Sequence, residues 1–262
     1  MKNLRAVFLM IALLILPSSA WAGEEIIGRI NETKDTIYKD YRSFYSIENL
    51  EYLAIGIGIA GVLANTSIDG EIQDWDQESL RNKDTDNFSR AVNPFGEGRI
   101  TVPVYLGAAI FGELTKDIKA GSITGEWGKR SLRTILVGAP PTLFLQSALG
   151  ASRPKEDDSH WRPFNDSNGV SGHSFMGAVP FITAAKMTDT SYLKYLFYLG
   201  STLTGWSRIN DNSHYFSQAL LGWWIAYLTA SCGEKAETGK RKVAVALAPI
   251  PNGVRFTVAF RF

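Results

Sequence analysis

The sequence predicts a mainly α protein, a helical bundle followed by a C-terminal β-hairpin. Two observations lead there. Apolar segments of helical length recur at 49–65, 101–117, 129–150, 173–187, 191–206 and 214–230. The end of the chain differs in kind: Val254, Phe256, Val258, Phe260 and Phe262 alternate with Arg255, Thr257, Ala259 and Arg261. With the small and β-branched run from Lys242 to Ala248 and the turn Pro249-Ile250-Pro251-Asn252-Gly253 before it, this reads as a hairpin with one apolar face.

Each element has its own justification. Residues 1–22 read as a secretory signal: Lys2 and Arg5 start it, Ala6 to Pro17 is apolar, and Ala20-Trp21-Ala22 suits cleavage. Residues 23–46 place Ile27, Ile30, Ile37, Tyr38, Tyr41 and Phe44 among charges, the pattern of an amphipathic helix expected to clamp the bundle, the alternative being to lie on a membrane surface. Residues 47–232 form the helical domain, and 233–262 the linker and hairpin. The polar stretch Ser67 to Arg99 is expected to form short helices and loops over one end of the bundle. Pro140-Pro141 should kink or break the 129–150 segment, and Pro180 should bend the next. The uninterrupted apolar runs, Tyr52 to Ala64 and Ala219 to Ala230, fall short of the roughly twenty residues a spanning helix needs. A water-soluble or peripheral bundle is therefore expected rather than an integral one.

Composition sets outer bounds. A hydrophobic content of 45% is enough for one large core. Removing Lys2 and Arg5 with the signal takes Lys+Arg from 27 to 25 against 26 acids, so the mature chain has no basic excess for a nucleic-acid partner. The single cysteine, Cys232, excludes an internal disulfide and reads as a small residue near a helix end.

Three strings carry the chemistry: QSALGASRP (Gln146–Pro154), VSGH (Val170–His173) and SRINDNSHYFSQ (Ser207–Gln218). Only 3 histidines occur in the chain, and His173 and His214 fall in these strings. Arg153 and Arg208 each offer a planar fork of donors to phosphate oxygens. Ser171 and Gly172 precede an apolar helix candidate, whose free N–H groups and dipole favour an anion. Two imidazoles, one neutral and one protonated, suit nucleophile and acid near neutral pH. KEDDSHWRP (Lys155–Pro163) repeats part of the spacing but lies in a polar, charge-dense loop, where His160 should be exposed.

In this order the strings resemble the type-2 phosphatidic acid phosphatase (PAP2) superfamily, which also contains bacterial acid phosphatases and vanadium haloperoxidases. Its pattern is K-x(6)-R-P, P-S-G-H, then S-R-x(5)-H-x(3)-D. The resemblance implies a bundle of that type and a phosphohistidine mechanism. His214 would be the nucleophile and His173 the acid. Arg153, Arg208, Ser171 and Gly172 would hold phosphate, with Gln146 in the lysine's place. Gln218 would orient His214 in the aspartate's place. Val170 replaces the proline.

If both lie on one helix, Gln146 and Arg153 face the same side, and so do His214 and Gln218. Glutamine brings no charge, so Gln218→Asp is expected to raise activity. Asp211 and Asp166 read as turn residues rather than as the missing carboxylate. Trp161, Phe164, Tyr215 and Phe216 flank the strings and read as core, although they could line an apolar mouth. The function implied is an envelope phosphatase acting on a phosphorylated small molecule or lipid, with peripheral membrane contact and no cofactor. The alternatives are a catalytically impaired anion-binding or structural relative, and a haloperoxidase, for which alone vanadate would be a cofactor.

Overall fold

The computed structural model describes the backbone of residues 22–238, 243–250 and 253–260, and the side chains of 27–235 apart from Arg29. The signal read over 1–22 lies, Ala22 apart, outside the described residues. Among those residues are nine α-helices: α1 (Ala22–Phe44), α2 (Ile47–Ala64), α3 (Ile68–Trp75), α4 (Lys83–Val92), α5 (Gly98–Leu114), α6 (Lys119–Leu145), α7 (Gly172–Met187), α8 (Ser191–Asn210) and α9 (Phe216–Thr238). Short π-helical turns extend α3 over Asp76–Leu80 and α6 over Gln146–Gly150. The chain is mainly α, as the sequence predicts. The backbone of Val243–Ile250 pairs antiparallel with Gly253–Phe260, Ile250 opposite Gly253. The side chains there lie outside the described residues, so the apolar-faced hairpin stays an expectation.

Helices α7 and α9 form the centre. Phe175, Val179 and Ile182 of α7 and Leu221, Ile225 and Leu228 of α9 are buried in one cluster with Val137 of α6 and Leu53 of α2. The other helices are positioned against this pair by close approaches. Gly56 of α2 admits Trp224 of α9, whose indole N–H donates to the Tyr52 carbonyl at 2.9 Å. Asp40 of α1 accepts two hydrogen bonds from Arg133 of α6, at 2.7 and 2.9 Å.

Helix α6 departs from expectation twice. It starts at Lys119, ten residues before the apolar run, through the glycine-rich KAGSITGEWG. The glycines are there for contact: a Cβ on Gly125 would lie 2.7 Å from the Gly112 Cα of α5. Pro140 and Pro141 also fail to end the helix. Proline at 140 removes the N–H that would bond the Leu136 carbonyl. Tyr41 of α1 replaces it, its hydroxyl donating to that carbonyl at 2.8 Å. Pro180 likewise lies within an unbroken α7.

The stretch from Ser67 to Arg99 packs over the end of α8. Gln73 and Gln77 each donate to the Ile209 carbonyl at 3.2 Å, satisfying the helix terminus beside Arg208. At the bundle surface, α2, α5 and α8 expose large apolar side chains: Ile47 and Val62, Val104, Phe111 and Leu114, Tyr195, Leu196 and Leu199. Among the described residues α2 alone is long and apolar enough to cross a membrane, by length and composition.

The α5–α6 contact generates a prediction. Gly125→Val puts three carbons into backbone, so it should cost about 1–3 kcal/mol as an overpacking change. Thermal unfolding should show a lowered midpoint, and an unchanged midpoint would mean that these helices separate freely.

Candidate active site

The site is assembled at the ends of α6, α7 and α8 and the start of α9. Helix α8 ends at Asn210, and Asn212 takes a left-handed conformation, φ 52. The chain then folds back so that the N–H groups of Ser213 and His214 both donate to the Arg208 carbonyl, at 2.9 and 3.1 Å. The Arg-to-His spacing is thus the length of one closed turn. His214 lies ahead of α9, not on it as expected, while Gln218 sits in the helix's first turn. That turn is anchored by Asp69 of α3, fully buried, which accepts the Ser217 backbone N–H at 2.9 Å and also its hydroxyl.

Helix α7 begins at Gly172. Ser171 caps it, its hydroxyl accepting the Ser174 N–H at 3.2 Å. The N–H groups of Gly172 and His173 have no partner among the described residues. They are the free donors that make a helix start an anion site.

The reading of Gln146 and Arg153 on one helix face is corrected. Helix α6 gives way to a π turn over Gln146–Gly150, and Arg153 lies beyond it in extended backbone, φ −90. Gly150 turns the chain at φ 61, where an added Cβ would meet the Arg162 carbonyl. The loop folds back on this segment through Arg162 N–H to the Gly150 carbonyl and Phe164 N–H to the Ser147 carbonyl, both 2.8 Å. Gln146 donates to the Val170 carbonyl at 3.1 Å, so it supports the turn ahead of Ser171 and has one amide hydrogen left to offer an anion. The exposed Arg153 donates through Nε to Asn168 at 3.1 Å. As expected His160 is exposed, and Asp166 serves its loop, accepting from Asn168 at 2.8 Å. Of the flanking aromatics, Tyr215 is buried and Phe164 exposed.

Gln218 settles the chemistry of His214. Its Oε1 is 2.7 Å from His214 Nδ1 and also accepts the Tyr215 backbone N–H at 3.3 Å. Its Nε2 donates to the Ser152 carbonyl at 2.7 Å. A backbone N–H can only donate and a carbonyl can only accept, so the amide has one orientation. Nδ1 must then carry the proton, and the Nε2 lone pair is free. Burial pushes His214 down to about 4. The Gln218 hydrogen bond works against this, and the positive charges of Arg208, Arg153 and His173 reinforce it. The ring is therefore neutral near pH 7.

Arg208 is mostly buried, with NH1 3.2 Å from the Asn93 side-chain oxygen and 3.7 Å from Asp211. Its Nε is buried with no hydrogen-bond partner among the described residues. A buried guanidinium N–H without an acceptor costs free energy unless a ligand supplies one. Sequence reasoning missed one residue here. Glu97, in the turn before α5, places Oε1 3.1 Å from His173 Nε2. The hydrogen bond and charge of His173 hold the Glu97 carboxyl below the usual range. Nothing in the sequence distinguishes Glu97 from the other acids of its polar stretch.

The bridging amide reverses the expectation for Gln218→Asp. Aspartate is shorter and accepts only, so the Ser152 carbonyl would lose its donor. A carboxylate beside Nδ1 also favours the imidazolium and raises the histidine pKa. NMR titration of the wild type should find the His214 ring neutral from pH 8 down to 5, whereas in the variant it should titrate within that range. Phosphate-ester turnover at pH 7 should fall roughly 10- to 100-fold as His214 and the Arg153 segment shift. A faster variant would contradict the bridging role.

Comparison with known proteins adds one match. Residues 132–233 match the PAP2 superfamily model, a span that holds Gln146, Arg153, Ser171, His173, Arg208, His214 and Gln218 but not Glu97. No curated protein and no solved structure matches the chain. The PAP2 superfamily consists mostly of phosphatases and implies phosphate-ester substrates in general. With three motif segments brought together by Gln218 inside that span, residues 132–233 form a PAP2 superfamily domain.

Proposed function

We propose that the chain is an exported phosphatase of the cell envelope, hydrolysing a phosphomonoester or lipid phosphate through a phosphohistidine on His214. The observation that carries this reading is the Gln218 amide, which leaves the His214 Nε2 lone pair free on a buried, neutral ring. Arg208 Nε, buried without an acceptor, supports an oxyanion as the missing partner.

The chemistry follows in two steps. The phosphoryl oxygens are held by Arg153, Arg208 and the N–H groups of Gly172 and His173. His214 Nε2 attacks phosphorus as the ester P–O bond breaks, and His173 gives its proton to the leaving oxygen. Neutral His173 then takes a proton from water, whose oxygen attacks phosphorus. The P–N bond breaks, its electron pair returns to Nε2, and phosphate leaves. No step calls on a metal.

The apolar side chains exposed on α2, α5 and α8 support membrane association and a lipid substrate. Helix α2 packs on α9, α8 on α7 and α5 on α6, so the exposed apolar side chains are spread over several helices, which suits peripheral contact with a lipid surface. The signal pattern of residues 1–22 supports export.

One experiment tests the reading. Wild type and His214→Ala are purified from the envelope fraction, where the mature mass should begin at Gly23. Both are assayed with EDTA against an aryl phosphate, phosphatidic acid, undecaprenyl phosphate and lipid A. Wild type should turn over and form an acid-labile phosphoenzyme; the variant should lose both, by about 10³-fold or more. Activity retained in the variant overturns the nucleophile. Inactive wild type that still binds phosphate would establish the impaired relative instead, and bromide oxidation appearing only with vanadate would establish the haloperoxidase.

A further inference from the structure

The two histidines of the site stand in different surroundings. His214 is buried against a neutral amide. His173 is about one-third exposed, and its Nε2 lies 3.1 Å from the Glu97 carboxylate. Among the described residues Glu97 is the one carboxylate within hydrogen-bonding distance of His173 or His214.

The contact is built in by its surroundings. The segment Asn93–Gly96 forms a single 3₁₀ turn before Glu97. Gly96 presses its backbone onto His173: a Cβ there would lie 2.9 Å from both the ring Cδ2 and the His173 carbonyl oxygen. Asn93, at the other end of the turn, accepts from Arg208 at 3.2 Å. One short segment therefore reaches both the phosphate-gripping arginine and the second histidine. Within ion-pair distance of Glu97 are His173 and, at 3.6 Å, the exposed Arg99, and its charge also acts on Arg208 from farther off. Neither Arg153 nor Arg208 pairs with it, so the carboxylate is not standing in for a phosphate between the arginines.

We propose that Glu97 is a positioning residue for the general acid: its carboxylate accepts the Nε2–H of His173 and stabilises the doubly protonated ring, leaving the Nδ1–H for the departing oxygen. This rests on the phosphohistidine reading and adds to it the origin of the acid's charge. As the P–O bond breaks, the Nδ1 proton passes to the leaving oxygen. His173 becomes neutral while keeping Nε2–H on Glu97. In the second step Nδ1 takes a proton from the attacking water and the ion pair re-forms. The Glu97 contact thus holds Nε2–H through both steps and balances the ring's charge whenever Nδ1 is also protonated.

The role has a signature that simple structural support lacks. Need for an acid grows with the basicity of the leaving oxygen. Glu97→Gln keeps an acceptor for Nε2–H but removes the charge. On an alkyl phosphate its kcat should fall about 10- to 100-fold, whereas on p-nitrophenyl phosphate, whose leaving group needs little protonation, it should stay within about 3-fold. Glu97→Asp should recover part of the alkyl-ester rate, and thermal unfolding of both variants should match wild type. Equal losses on the two esters, or a lowered KM with unchanged kcat, would overturn the proposal; the second result would mark Glu97 as an occupant of the phosphate site. Those results leave the phosphatase reading standing. Wild type inactive on both esters would overturn both together.

Discussion

The site depends on one residue, Gln218, which touches all three motif segments. Its side-chain oxygen holds His214, and its side-chain nitrogen holds the Ser152 carbonyl beside Arg153. Its own carbonyl accepts the Ser171 N–H at 2.9 Å. Three stretches of chain far apart in sequence are thereby fixed to one point. An amide accepts from the imidazole and donates to the carbonyl at once; a carboxylate does only the first. Glutamine here is a structural requirement of the Ser152 contact as well as an orienting group. Asp69 in turn fixes the helix start that carries Gln218, through Ser217.

The electrostatics follow from the same arrangement. In the proposed reaction the two imidazoles would do opposite work, and they stand in different surroundings. Burial and two nearby guanidiniums oppose a positive charge on the His214 ring. His173 is wetter and paired with a carboxylate. A carboxylate therefore stands beside His173 and a neutral amide beside His214. Arg208, buried with an unpaired Nε, keeps the cradle competent for an anion.

Much of this was legible in the sequence because the chemistry-bearing residues are rare types in ordered strings. His173, His214, Arg153 and Arg208 were named from the residues alone. The helical class followed from the recurring apolar segments. What escaped has physical causes. Glu97 acts through a contact 76 positions away, and an acid in a polar stretch carries no local signal. The first turns of α6 lie outside the apolar segment that starts at 129, because glycine is a poor helix former and gives no apolar signal; contact with Gly112 outweighs that preference. Pro140 stays helical because Tyr41, distant in sequence, satisfies the carbonyl it leaves unpaired. The π turn at Gln146–Gly150 broke the assumption that Gln146 and Arg153 share a helix face.

The central claim is that a neutral His214, held by Gln218, attacks phosphorus in an arginine-lined cradle. A crystal structure with orthovanadate tests it most directly, because vanadate adopts the five-coordinate geometry of the transferring phosphoryl group. The account predicts a vanadium bonded to His214 Nε2, with Arg153 and Arg208 on its equatorial oxygens and the Gln218 bridge unchanged. Vanadate bound elsewhere, or held with His214 Nδ1 toward the metal and the Gln218 contact broken, would contradict it.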